Sequence, residues 1–452
     1  MTLSIIFFLI YIAIVVAIGI HASRKESEDD FMIADRKVEG VQVAATMSAG
    51  YFDGATIAVY IAYVYQYGFS AIWIFVGIGL GFLFVRKYAW RIKQKADELG
   101  VYSMPEYFFK ILGKRNGLMF SFFLVLQYFL LLIVNLIISG KILAAIFPIP
   151  YVLAVFIGGG IVLTYLLLAG FKAVVRTDFF QLVIMFVMSL SVAIFLFGSV
   201  DIPLTEFSLG TFGIGNTLGF LVLATFGLIV QPDLWQRIFA TKDEKNLRRG
   251  LNYSIFILPL LGVIITIVGL ATKQFFPGIV PEDALVTGFS SLLPFGLKEF
   301  GMVLLYAVAL SSSDTVTFVV SSIFTRDLKN YTQKFKEESM KKLTRFFMIL
   351  FIVLAALIAI FYQNILALGF SLASLNLALF PVVFGSFYWK LKHNAVFWSL
   401  VLGFLSVVML FALNMLTPET AAISLPVAFV TLLVFQKLFK DTLFDSQSYR
   451  SQ

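Results

Sequence analysis

An all-α chain that crosses a membrane many times is what this sequence predicts, on three observations. Apolar residues fill 60% of its 452 positions and charged residues only 13%, whereas a soluble domain averages about 45–50% and about 25%. Apolar stretches long enough to cross roughly 30 Å of hydrocarbon recur from end to end. Lysine and arginine gather in every second connection, the alternation expected when cytoplasmic loops hold the positive charge. No soluble fold of this length hides so much apolar surface, so lipid must be the solvent for much of the exterior.

Taken in order, the spans fall at 3–22, 40–64, 70–89, 118–147, 151–170, 178–199, 217–236, 251–272, 300–323, 344–363, 365–388, 395–415 and 421–437, about thirteen by length and apolarity. No small-residue cleavage site follows the first, which is read as a retained helix rather than a signal peptide. The basic connections begin with Arg24, Lys25, Arg36 and Lys37, and continue with Arg86 to Arg115, then Lys172 and Arg176. They resume with Arg237 to Arg249, Arg326 to Arg345, Lys390 and Lys392, and Lys437 and Lys440. The intervening loops hold little beyond Lys273 and Lys298. The N-terminus therefore faces out and the C-terminus in, which an odd number of spans also requires. On this reading the net charge of +8 reports topology rather than a nucleic-acid surface.

The longest stretches expected outside the membrane, 86–117 and 273–299, are too short for a separate soluble domain. Thiol chemistry is excluded because the chain has no cysteine, and its two histidines, His21 and His393, lie far apart. No phosphate-binding glycine loop, zinc-spaced set or nucleophile elbow is present, so the expectation is not an enzyme and needs no organic cofactor.

Polar groups inside spans are costly and mark function by default. The second span, from Gln42 to Gly54, sets small residues and Asp53 in its middle. Small residues alone suit close helix packing; the acid points instead to a broken helix whose freed carbonyls coordinate a cation. Asp178, in Arg176-Thr-Asp-Phe-Phe-Gln181, is either a helix N-cap or a buried ligand. The ninth span holds Ser311-Ser-Ser-Asp-Thr315, Thr317, Ser321 and Ser322. Positions 311, 314, 315 and 322 share a helical face, and hydroxyl and carboxylate oxygens suit a hard cation. Interhelical hydrogen bonding is the alternative. Lys141, near an outer end, snorkels to the interface or meets solute.

These stretches, in this order, resemble the sodium:solute symporter family, which includes the sodium/glucose, sodium/proline and sodium/sialic acid carriers. Asp30-Phe-Met-Ile-Ala-Asp-Arg-Lys37 resembles its "DFFLAGRS" segment and Tyr102-Ser-Met-Pro-Glu-Tyr-Phe108 its "TLPEFL". Gly170-Phe-Lys-Ala-Val-Val-Arg-Thr-Asp-Phe-Phe-Gln181 is similar to "GGFKAVxWTDxxQ", with arginine where the family has tryptophan. Gln231 to Arg237 resembles "QPxxxxR", Ser311 to Asp327 follows "SS…SxxFTxD", and Phe380 to Lys390 resembles "GPxxLxxLFWKR". Six matches in order cover nearly the whole chain.

The resemblance implies a LeuT-type fold of two inverted five-helix repeats with sites at the midplane. It places the repeats at 40–199 and 217–388, with a leading helix and loop at 1–39 and two further helices and a tail at 389–452, all one domain. It also implies a sodium site of Ala44, Met47 and Val308 carbonyls with Ser311 and Ser312 hydroxyls. A second cation, Na⁺ or H⁺, would sit among Asp178, Asp314 and Thr315. For solute it selects Ser48, Tyr51, Asp53, Gln127, Asn135, Thr225 and Phe226. Asp53 beside Tyr51 and Phe226 would suit an amine by charge and cation–π contact. The implied activity is Na⁺-coupled uptake of a small organic solute across a bacterial inner membrane, by a chain functional as a monomer. A solute sensor on the same scaffold, or a proton-coupled carrier, is the alternative.

Overall fold

The computed structural model describes residues 2–23, 36–167, 171–332 and 337–439, and among these no β-strand occurs, only one isolated bridge between Val38 and Thr241. Most of the segment resembling "DFFLAGRS" lies outside them, with Arg24, Lys25, Lys334, Lys336 and Lys440; so do the side chains of Lys172, Arg176, Asp327 and Lys329.

Among the described residues seventeen α-helices follow one another: α1 Thr2–Ser23, α2 Gly40–Tyr51, α3 Gly54–Tyr67, α4 Trp73–Leu99, α5 Met104–Ile146, α6 Tyr151–Leu166, α7 Phe171–Ser199, α8 Ile214–Gly227, α9 Pro232–Ala240 and α10 Glu244–Phe275, then α11 Ala284–Ser291, α12 Leu297–Thr332, α13 Glu337–Phe361, α14 Ile365–Tyr388, α15 His393–Ala412, α16 Pro418–Ala421 and α17 Ser424–Leu438. Among the described residues, nine helical stretches are long and apolar enough to cross a membrane, a tenth if the bent pair α8–α9 counts as one, and Leu3–Ile18 and Tyr151–Thr164 are shorter apolar helices. One of the nine, Gly54–Leu99, is 46 residues long, too long for a single crossing, and turns at the 3₁₀ segment Gly68–Ile72. In lipid only such internally hydrogen-bonded segments are tolerated.

Helices of the first half pack against those of the second rather than among themselves alone: α2 on α10, α4 on α8, and α5 along α12. Helix α12 lies at the centre, every residue of its apolar window buried. Its hydroxyls are therefore not facing lipid. Ser312, Ser313, Thr315, Thr317 and Thr325 each donate to the carbonyl four residues earlier, the usual solution for a hydroxyl inside a buried helix.

Three local expectations change. The stretch 86–117 is not a loop: α4 runs on to Leu99, and α5 starts at Met104 and continues past a kink at Gly113, where φ is 75°. Ser103 caps it, accepting from the Glu106 amide at 3.4 Å. Asp178 is no N-cap, because α7 begins at Phe171. Lys141 does not end free at the interface; its Nζ pairs with Asp283 at 2.7 Å.

The start of α10 shows an ordinary cap at the basic end of the molecule. Asp243 accepts from the Asn246 amide at 2.8 Å, and that bond holds its carboxyl below the usual aspartate range.

Candidate ion and solute site

Among the described residues two spans are interrupted at one cavity. The first break separates α2 from α3 at Phe52 and Asp53, where Phe52 takes φ −92° and ψ 57° and Asp53 is extended. Asp53 Oδ1 accepts from the Thr56 amide at 2.6 Å, capping α3. Gly54 permits this crossing: a Cβ there would stand 3.1 Å from Ala309 Cα and 3.3 Å from Asn135 Oδ1. The second break separates α8 from α9 with a 51° bend. Gln231 is extended there and Pro232 begins α9, as expected for a residue before proline and for proline at the first helical position.

A buried polar network runs between the breaks. Thr46 on α2 donates to Asp178 Oδ2 at 2.6 Å, and Ser311 on α12 donates to Asp178 Oδ1 at 3.0 Å. Asp178, wholly buried on α7, thus joins the two helices that carry the predicted sodium ligands. Arg237 on α9 reaches into the same place: Nη2 lies 3.3 Å from Asp178 Oδ2, Nε donates to Thr46 Oγ1 at 2.9 Å, and Nη1 pairs with Asp233 at 2.5 Å. Tyr128 donates to the other oxygen of Asp233. Glycine at position 50 leaves room for the guanidinium, since a Cβ would stand 3.0 Å from Arg237 Nη2.

The predicted residues separate into groups. Ser311 meets Asp178 directly. Ser312 donates to the Val308 carbonyl at 3.3 Å. The Ala44 carbonyl accepts from Ser254 at 3.5 Å, Ser48 donates to Ser254 at 3.2 Å, and Met47 is fully buried nearby on α2. Asp314 is buried and accepts from the Thr315 amide, while Thr315 Oγ1 donates to the Ser311 carbonyl.

The cavity, about 190 Å³, is lined by Tyr51, Asp53, Asp233, Ser312, Thr315 and Asn376 among apolar neighbours. Of the residues selected for solute, Tyr51 and Asp53 are in its wall. Gln127 donates to Gln231 at 3.0 Å, Asn135 to the Leu131 carbonyl at 3.1 Å, and Thr225 to the Gly77 carbonyl at 3.3 Å. Phe226 packs on Phe84 and Phe380, with centroids 5.7 and 4.9 Å away. These four, and Ser48, stand behind the wall.

Arg237 is a correction of substance: counted above with the loop charges, it is 1% exposed. Asp233 and Asn376 were likewise passed over. A signal existed for the first pair, an acid and an arginine four residues apart inside an apolar run.

The profile of the sodium:solute symporter family matches residues 31–209 and 211–403. The chain belongs to the sodium:solute symporter family. Among relatives of this chain, the osmoregulated proline transporter of Bacillus subtilis is 24% identical over 409 residues, 84% of this chain and 83% of the relative. The sodium/pantothenate symporter of Haemophilus influenzae is 24% identical over 443 residues, 89% of each. The chain also superposes on a Na⁺-coupled sialic acid symporter with a TM-score of 0.83 at 17% identity, covering 98% of this chain and 99% of the other. A nucleobase-cation-symport family transporter gives 0.59 at 12% identity, with 93% and 98% covered. These superpositions show the fold, that of LeuT-type transporters. The relatives named are transporters, not enzymes, and the chain is a multi-pass membrane protein.

Proposed function

We propose that this chain carries a small organic solute inward together with Na⁺ by alternating access. The observation that carries the reading is Asp178, which receives Thr46 from α2 and Ser311 from α12, the two helices that must part when the site opens. Na⁺ sits at the carbonyls of Ala44, Met47 and Val308 and the hydroxyls of Ser311 and Ser312, with Asp178 supplying the nearby negative charge. All are oxygen donors, which a hard cation prefers. A second cation, Na⁺ or H⁺, among Asp178, Asp314 and Thr315 extends the same reading. Bound Na⁺ ties α2 to α12 and holds the solute cavity open outward; solute closes the outer side, and low internal Na⁺ then empties the site inward. A potential of about 100 mV adds roughly 2.3 kcal/mol per charge moved.

The accompanying topology is thirteen spans, N-terminus out and C-terminus in, with α2–α7 and α8–α14 as inverted repeats. Each broken pair then opens its repeat, the arrangement that sets binding sites at the midplane. The functional unit is one chain in a bacterial inner membrane.

Na⁺-dependent thermal stabilisation of purified protein tests the coupling, because a ligand of the folded state raises its stability by mass action. The expected result is a saturable upward shift in Na⁺, absent in K⁺ and lost in Ser311→Ala/Ser312→Ala. A wild-type protein indifferent to Na⁺ would leave a proton-coupled carrier or a sensor on this scaffold.

A further inference from the structure

The two helix breaks carry acids, and this bears on what the cavity accepts. Helix N-termini present free amides and a positive dipole end, so a broken helix ordinarily offers them to an anionic group of the solute. Here an acid already stands at each: Asp53 caps α3, and Asp233 is in the first turn of α9; both line the cavity, with exposures of 5% and 6%. A solute carboxylate entering there meets like charge at both ends.

Charge balance points the same way. Arg237 is shared between Asp178 and Asp233, leaving Asp53, Asp178 and Asp233 with one guanidinium among three carboxylates. Na⁺ beside Asp178, and the second cation beside the equally buried Asp314, still leave one negative charge over, and a buried charge without a partner is strongly unfavourable.

An independent observation locates the missing group. Asn376 on α14 lines the cavity at 4% exposure, and its Oδ1 has no hydrogen-bond partner. It stands against the second break, where a Cβ on Gly227 would touch its Cβ at 3.4 Å. The Tyr51 hydroxyl, also in the wall, is unpartnered too. Carboxylates and an amide oxygen accept hydrogen bonds, so their complement is a donor. An ammonium supplies N–H donors and positive charge together. The rest of the wall, Val59, Ile74, Ile78 and Leu131 among it, suits a compact apolar body.

We propose that the solute is a protonated primary or secondary amine without a carboxylate, its N–H groups held among Asp53, Asp233 and Asn376. This rests on the symport reading above.

The test compares amines with their own amino acids in Na⁺: pyrrolidine with L-proline, isobutylamine with L-valine, isoamylamine with L-leucine and phenethylamine with L-phenylalanine, plus pantothenate. Thermal stabilisation and equilibrium binding are read on the purified full chain. The expected result is that at least one amine binds and its amino acid does not. Asp53→Asn, which keeps a capping side chain but removes the charge, should weaken that amine at least about tenfold. Asp233→Asn should do the same where it folds, and the wild-type pairs decide the question without it. A Na⁺ shift with a carboxylate preferred, or with no amine bound, overturns the amine site and leaves the coupling intact. Amine binding indifferent to Na⁺ keeps the amine site and removes the coupling.

Discussion

The two helix breaks do the same architectural work with different chemistry. At the first, an acid at the N-cap satisfies a free amide of α3, and a glycine lets α12 come within contact distance. At the second, proline forbids the preceding turn and starts α9, and the acid beside it answers to an arginine one turn later rather than to the helix end. The first break is thus held locally, by residues within three positions of each other. The second is held from outside, through Arg237, by α7 and α2. A mobile joint is easier to build where local bonds suffice, and a joint that must report on an ion is easier to build where distant elements share one charge. We read the second break as the one coupled to the ion site.

Removing the shared charge should break this comparison most severely. Arg237→Met leaves Asp178 and Asp233 buried without their cation, a loss of about 3–5 kcal/mol when one partner of a buried pair is taken away. The expected outcome is a large fall in thermal stability in K⁺, partly recovered in Na⁺. Because the guanidinium also competes for Asp178, Na⁺ should half-saturate at a lower concentration in the variant. Titration of the melting temperature with NaCl measures both; an unchanged midpoint would show that the arginine and the ion do not share the carboxylate.

Next in size comes the first break. Gly54→Ala sets a methyl 3.1 Å from Ala309 Cα and 3.2 Å from its Cβ, and overpacking of that kind costs about 1–3 kcal/mol. Since Ala309 belongs to α12, the damage should appear as weaker Na⁺ stabilisation as well as a lower melting temperature. A variant as stable and as Na⁺-responsive as wild type would mean that α3 and α12 have slack between them.

What was legible in the sequence follows the same division. The first break was visible because its cause is local: small residues and one acid where lipid-facing side chains belong. Ser311 was visible as a member of a hydroxyl-rich run, yet most of that run is occupied with carbonyls of its own helix. Only the fold distinguishes the hydroxyl that leaves it for Asp178. Arg237 was misplaced because counting Lys and Arg near span ends treats every such residue as a loop charge, while its burial depends on Asp178, 59 residues earlier. The helical start of α5 was hidden by its charges, which a membrane-span search discards. Asn376 had no signal at all, since its meaning lies in being unpartnered.

The smallest effect should come from the proline. Pro232 occupies the first position of α9, where its missing amide is no loss and its fixed φ suits a helix. Replacing it with alanine removes no contact of the network but frees the unfolded chain, and also frees Gln231 from the restriction to extended backbone that proline imposes. A loss of about 0.4–1 kcal/mol is expected from the first cause. The second makes the variant informative: with α8 and α9 able to join, the bend of 51° has only Asp233, Arg237 and their partners to hold it. If those distant bonds set the break, Pro232→Ala should keep its Na⁺ midpoint and lose about a degree or two in melting temperature. A shift in the Na⁺ midpoint would instead give the proline a share in coupling, and the contrast between a locally held and a remotely held break would narrow accordingly.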